Sequence, residues 1–215
     1  MDLPINQRKT IEEKLRAYDE PFIEKVLLQK ILNKFAPNYK IKTLTTRKLI
    51  SPIIRGKLYF NHLSHKISWL LETTILAKYA QGKMYAVGGL GIYNHYHFSE
   101  QLVNRTTVYT TDIRWKRRIA GAGFIFRQVR PSFFRGMEEV NAQGYGTYFR
   151  MTPERALIQL IKEKKGQLEY DEDVRYEIRE NKVSVNKLLA LSEQYTSKRV
   201  QLLVRNFLKE WHLLN

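Results

Sequence analysis

Residues 85–112, YAVGGLGIYNHYHFSEQLVNRTTVYTTD, place two strand patterns on either side of a glycine-rich bend and so commit this part of the chain to a sheet. The first pattern, 84–87, is apolar, and Gly88, Gly89 and Gly91 follow at once. Glycine lacks a Cβ, so the chain there can turn or let another element approach closely. A short helix is expected at these glycines, then a polar connector. In 106–111, Thr106, Val108 and Thr110 alternate with Thr107, Tyr109 and Thr111, the period of two and β-branched content of a half-buried strand.

Charge is the other strong signal. The formal net charge of +16 favours polyanions, of which nucleic acid is the commonest, with anionic membrane and acidic protein surfaces as alternatives. Its placement is uneven. Between residues 25 and 71 there are ten bases (Lys25, Lys30, Lys34, Lys40, Lys42, Arg47, Lys48, Arg55, Lys57, Lys66) and no acid, whereas the first 24 residues carry four bases and six acids. A merely solvated face mixes signs. A second basic region runs from 114 to 135, with Arg114, Lys116, Arg117, Arg118, Arg127, Arg130 and Arg135 among aromatic residues. Arginine with aromatics suits phosphate and base contacts, an acidic protein surface, or a charged sheet edge that resists aggregation.

At 215 residues the chain can hold one sizeable domain or two small ones, and 43% hydrophobic with 27% charged residues is a globular balance. It has no cysteine, which excludes disulfides and thiolate metal sites and fits a cytoplasmic protein. The first fifteen residues are too polar for a signal peptide, and no uncharged apolar run approaches the roughly 18 residues of a spanning helix.

Taken in order, Thr10 to Glu13 forms a capping box for a helix over about 11–19. Pro21 suits the first turn of a second helix to about 34, with Phe22, Val26, Leu27, Ile31 and Leu32 as its apolar stripe. After the break at Pro37, a third helix carries Ile41, Leu44 and Leu49 and ends before Pro52. Residues 53–60 read as two short strands around Arg55-Gly56. Three short helices and a basic hairpin make a winged helix–turn–helix, whose third helix enters the major groove while the wing touches phosphates. Ser64 then caps a long helix over 65–81 that Gly82 ends. A strand over 145–150 leads into Thr152-Pro153-Glu154, a helix start with a hydroxyl cap, a proline and a carboxylate at the positive helix end. Glu154 and Arg155 read as structural. Past an acidic patch at 169–173, two apolar-striped helices follow, from 184 and from 196 or 197. The expected fold class is α+β: a winged helix–turn–helix over 1–63 and a mixed α/β domain over 64–215.

Four motifs in this order carry a resemblance: Gly88 to Ile92, FSEQLVN at 98–104, VYTT at 108–111 and MTPERAL at 151–157. The chain resembles the AbiEi-type antitoxins of type IV toxin–antitoxin systems, which pair a glycine-containing apolar run with a "[ST]-x-Q-x-x-N" connector, a "VYTT" strand and a "P-E-[RK]-A-L" helix start. The family's wing ends in "R-G-x-Y"; here Arg55-Gly56-Lys57-Leu58-Tyr59 is one residue longer. The resemblance implies a cytoplasmic transcriptional autorepressor that binds repeats in its own operator. It also implies a C-terminal domain needed for repression and for opposing a nucleotidyltransferase toxin without a stable complex. The recognition-helix candidates are Lys40, Lys42, Thr45, Thr46, Arg47 and Lys48, and the wing candidates Arg55 and Lys57. Arg114, Lys116, Arg117, Arg118 and Arg127 form a candidate second basic surface.

Catalytic readings find less. His95 and His97 would share a face of a strand, as metal ligands do, yet no third ligand accompanies them. Gly88-Gly89 opens like a nucleotidyltransferase, but no D-x-D follows to hold magnesium. Asp112 with Glu163-Lys164-Lys165 imitates a nuclease acid plus E-x-K, with the second part in a helix rather than a strand. No catalytic residue, metal or cofactor is expected. The alternatives are a metal-dependent nuclease, or a basic protein-interaction module without DNA binding.

Overall fold

The computed structural model describes residues 5–80, 83–112, 116–142, 146–166, 168, 172–180 and 183–213. Its fold is α+β, with helices and two sheets, and it divides into two compact units. The first is Met1–Gln81 with Arg118–Gly123 and Gly144–Gly146; the second is Gly82–Arg117, Phe124–Gln143 and Thr147–Asn215.

In the first unit the order is α1 (Ile5–Arg16), β1 (Phe22–Glu24), α2 (Lys25–Phe35), α3 (Ile41–Thr46), β2 (Ile50–Ile54), β3 (Leu58–Asn61) and α4 (Trp69–Tyr79). The strands form an antiparallel sheet in the order β1-β3-β2. Ile11, Leu15, Ile23, Leu28, Leu32, Tyr39, Leu44 and Ile50 share one buried core. Asn61 ties the sheet to α1, its amide nitrogen donating to the Leu15 carbonyl at 2.7 Å.

Several local expectations change here. Helix α1 starts at Ile5, so Thr10 lies inside it rather than at a cap. Pro21 precedes a strand, because Phe22, Ile23 and Glu24 pair with Phe60, Tyr59 and Leu58 of β3. Tertiary pairing overrides the helical spacing there. The buried stripe of α2 is therefore Leu28 and Leu32, and Val26 and Leu27 stand 65% and 37% exposed. Helix α4 is capped by Ser68, not Ser64, through the Leu71 amide at 3.3 Å.

Helix α3 also ends early. Lys48 takes a left-handed conformation (φ 57°), the Leu49 amide donates to Leu44 O and the Lys48 amide to Thr45 O. This is a Schellman ending built without glycine. The same pattern closes three more helices at His97, Lys165 and His212, with Phe98, Gly166 and Leu213 amides reaching back to Tyr93, Ile161 and Leu208. Lys and His suit such sites because a cation interacts favourably with the helix C-terminus.

The second unit begins with β4 (Tyr85–Gly88), α5 (Leu90–His95) and β5 (Thr106–Thr110). Then come β6 (Lys116–Ile119) and β7 (Ala122–Gln128), of which residues 118–123 are counted with the first unit, a 3-10 turn (Pro131–Phe134), β8 (Met137–Ala142) and β9 (Gly146–Met151). Helices α6 (Pro153–Glu163), α7 (Glu172–Glu180), α8 (Val185–Glu193) and α9 (Lys198–Glu210) complete it. The sheet runs β6-β7-β5-β4-β9-β8 and is mixed: β4 is antiparallel to β5, while β5 pairs with β7, and β4 with β9, in parallel.

Central position decides the burial of β5. All five residues are buried, so the alternation that suggests a half-buried strand describes two covered faces, with threonine on both. The glycine bend serves close approach: a Cβ on Gly88 would lie 2.7 Å from the Tyr109 ring and 2.8 Å from the Met151 methyl. The TPERAL start forms as expected, with Thr152 Oγ1 accepting the Arg155 amide at 3.3 Å, and residues from Glu154 to Ile161 are buried all round the helix. Glu154 accepts the Ser184 amide at 3.2 Å, and Ser184 in turn caps α8. The expected features at Gly82, Tyr145 and 169–171 lie outside the described residues.

Candidate nucleic-acid interface

Helix α3 turns Leu44 into the core and packs against β2, which leaves Lys42 and Thr46 exposed. Lys40, at its N-cap position, is exposed as well. The two threonine hydroxyls bond inward: Thr45 Oγ1 donates to Ile41 O at 3.1 Å and Thr46 Oγ1 to Lys42 O at 2.9 Å. They retain lone pairs but have given their protons to the helix.

Arg47 differs from its neighbours. Its Nη1 donates to the Tyr39 hydroxyl at 2.6 Å and its guanidinium lies 5.6 Å from that ring, so the side chain is half-buried and fixed. Arg47 therefore braces α3 against the preceding loop. Lys48 is exposed at the helix end.

Three residues, 47–49, separate α3 from the β2–β3 hairpin. Its tip, Arg55-Gly56-Lys57, is fully on the surface, and Gly56 (φ 74°) supplies the left-handed turn. The Lys25 amide donates to Lys57 O at 2.8 Å, which ties the hairpin tip to the start of α2. The register of β2 shifts between Pro52 and Ile54, a bulge that increases local twist. Among the described residues, no ion pair engages Lys40, Lys42, Lys48, Arg55 or Lys57.

Of the second basic surface, only Arg118 and Arg127 have described side chains. Arg114 lies outside the described residues, as do the side chains of Lys116 and Arg117. Arg118 is exposed in the first unit, and Arg127, in the second, pairs with Glu163 at 3.2 Å. Glu163 is a hub: it also accepts from Tyr93 at 3.1 Å, Tyr109 at 3.3 Å and Gln159 at 3.0 Å. Burial, with the negative charge beside them, raises both tyrosine pKa values, so they stay protonated donors. Asp112 pairs with Lys83 at 3.5 Å.

The histidine pair is not on a strand. His95 ends α5 and bonds Arg150 Nη1 at 2.6 Å, while His97 sits in the left-handed turn beyond. Burial, followed by the charge of Arg150, lowers the His95 pKa below 6.5. Arg150 also pairs with Glu138, which accepts from Tyr96 at 3.2 Å. No cluster of three His, Cys, Asp or Glu able to hold a metal occurs among the described residues, and none of the helices there is long and apolar enough to cross a membrane.

These features define an α+β protein with an N-terminal unit whose unpaired cations stand on a short helix and a hairpin tip. No protein-family model and no curated protein matches the chain. A crystal structure of the RV2827C protein from Mycobacterium tuberculosis is similar in fold, with a TM-score of 0.61 over 98% of this chain and 78% of that one, at 14% identity.

Proposed function

We propose that this chain is a DNA-binding antitoxin of the AbiEi type that represses its own operon in the cytoplasm, with a winged helix–turn–helix in its first unit. One observation carries the reading: Lys40, Lys42 and Lys48 on and after α3, and Arg55 and Lys57 at the hairpin tip, are exposed cations without an acid partner among the described residues. The order α1-β1-α2-α3-β2-β3, with β3 between β1 and β2, supports it. In that arrangement α3 is the recognition helix and the hairpin is the wing. A nucleotidyltransferase toxin is the functional partner, opposed without a stable complex, and the chain has no catalytic role of its own.

Phosphate contacts release counterions, so each one steepens the fall of binding with salt by about 0.9 logarithmic units per decade. Replacing Lys40, Lys42, Arg55 and Lys57 together with glutamine should flatten that slope by about 3.6 units on duplex from the chain's own upstream region. An unchanged slope moves DNA binding away from α3 and the hairpin. Incubation with plasmid and magnesium should leave the plasmid intact; cleavage would favour a nuclease.

A further inference from the structure

The second unit contains a cavity of about 380 Å³, within the size range of small-molecule pockets. Three arginines line it, Arg130, Arg135 and Arg155, with Ser132, Phe133 and Tyr195. None of the described residues lining it is acidic. Arg130 and Arg135 are exposed, whereas Arg155 is only 3% exposed.

Arg155 is the unusual member. Its Nη2 donates to Phe133 O at 3.2 Å, but Nε and Nη1 are buried with no hydrogen-bond partner. The guanidinium lies 4.3 Å from the Phe133 ring centre and 4.8 Å from that of Tyr195. Burial pulls its pKa down to about 10, which still leaves it charged at neutral pH. The nearby carboxylates have other tasks: Glu154 accepts the Ser184 amide, and Glu163 accepts from Tyr93, Tyr109, Arg127 and Gln159. A buried cation without a counter-ion is costly, and a ligand that supplies the missing negative charge recovers that cost.

We propose that this pocket binds a small organic anion, with its phosphate or carboxylate against the three arginines and a ring or apolar body against Phe133 and Tyr195. The pocket lies wholly in the second unit, so the proposal stands apart from DNA binding by α3 and the hairpin. Aromatic walls give a flat ring apolar area, and arginine forks match planar carboxylate and phosphate oxygens. Ser132 adds a hydroxyl at the edge.

Calorimetric titration of the full chain with adenosine monophosphate, salicylate, inorganic phosphate and adenosine tests this. At least one of the two ring-bearing anions should bind with a Kd below about 1 mM, about tenfold tighter than inorganic phosphate, while uncharged adenosine should not bind. Which of the two binds distinguishes phosphate from carboxylate recognition. Replacing the exposed pair by Arg130→Gln with Arg135→Gln should weaken binding about tenfold without disturbing the buried core. Arg155→Lys, which keeps the charge but loses the fork, should weaken it as well, with folding checked by thermal unfolding. The proposal is overturned if neither anion binds, if adenosine binds as well as its monophosphate, or if the Arg130/Arg135 double variant binds unchanged.

Discussion

The two units use cations in opposite ways. In the first, the bases of α3's surroundings and the hairpin tip face solvent with no acid between residues 25 and 71. In the second, Arg127 pairs with Glu163, Arg150 with Glu138, Arg205 with Glu193 and Lys83 with Asp112. Lysines and arginines of the first kind are available to a polyanion, and those of the second kind hold tyrosines and helices in place. Some arginines depart from this: in the first unit Arg8 pairs with Glu12 and Arg47 is fixed on Tyr39, and in the second Arg130 and Arg135 are exposed and Arg155 is buried with no acid partner among the described residues.

The sharpest test of this contrast is Glu163. Glu163→Ala leaves Tyr93, Tyr109, Arg127 and Gln159 donors without their shared acceptor and should destabilise the chain by about 3 kcal/mol in denaturant unfolding. If it costs no more than a surface substitution, the second unit's charges are not structural and the comparison fails.

Protonation gives the next largest effect and should be visible in both units. His62, held by Ser51 at 2.8 Å, and His95, held by Arg150, both have pKa values lowered by burial below the ordinary 6.5. The unfolded chain then binds the proton more tightly than the folded one, so this contribution is complete above pH 6.5 and is lost as pH falls through the folded pKa values. The melting temperature should drop on acidification below 6.5, and His62→Gln with His95→Gln should reduce that dependence. An identical pH profile in the double variant would assign the effect to other groups.

A smaller gain is expected at the end of α3. Lys48 is an L-residue at φ 57°, and Lys48→Gly should stabilise the first unit by about 1 kcal/mol by removing the Cβ clash of the left-handed conformation. The same change removes an exposed cation, so duplex binding should weaken while stability rises. The smallest effect belongs to the hairpin tip: Arg55→Gln with Lys57→Gln should stay within about 0.5 kcal/mol in stability and still flatten the salt slope. A large loss of stability there would place those side chains among the structural charges.

Much of this was legible residue by residue. The stop at Pro37, the hairpin about Gly56, the strand over 106–110 and the Thr152-Pro153 start of α6 follow from turn chemistry, period and capping, which are local. The partners were not. Phe22 to Glu24 look helical until β3 pairs with them, and the end of α3 carries no glycine to announce it. Thr45 and Thr46 resemble free polar contacts, but a hydroxyl that can reach the helix carbonyl four residues back does so.

By itself the sequence determined where positive charge has no local counter-charge, and where the backbone must turn, start a helix or run extended, because these depend on neighbours along the chain. Only the tertiary structure decided which charges are neutralised. An ion pair such as Arg127 with Glu163 joins residues 36 apart, and the isolation of Arg155 depends on what folding brings beside it. Electrostatic energy depends on distance and burial in space, and neither can be read from separation along a chain.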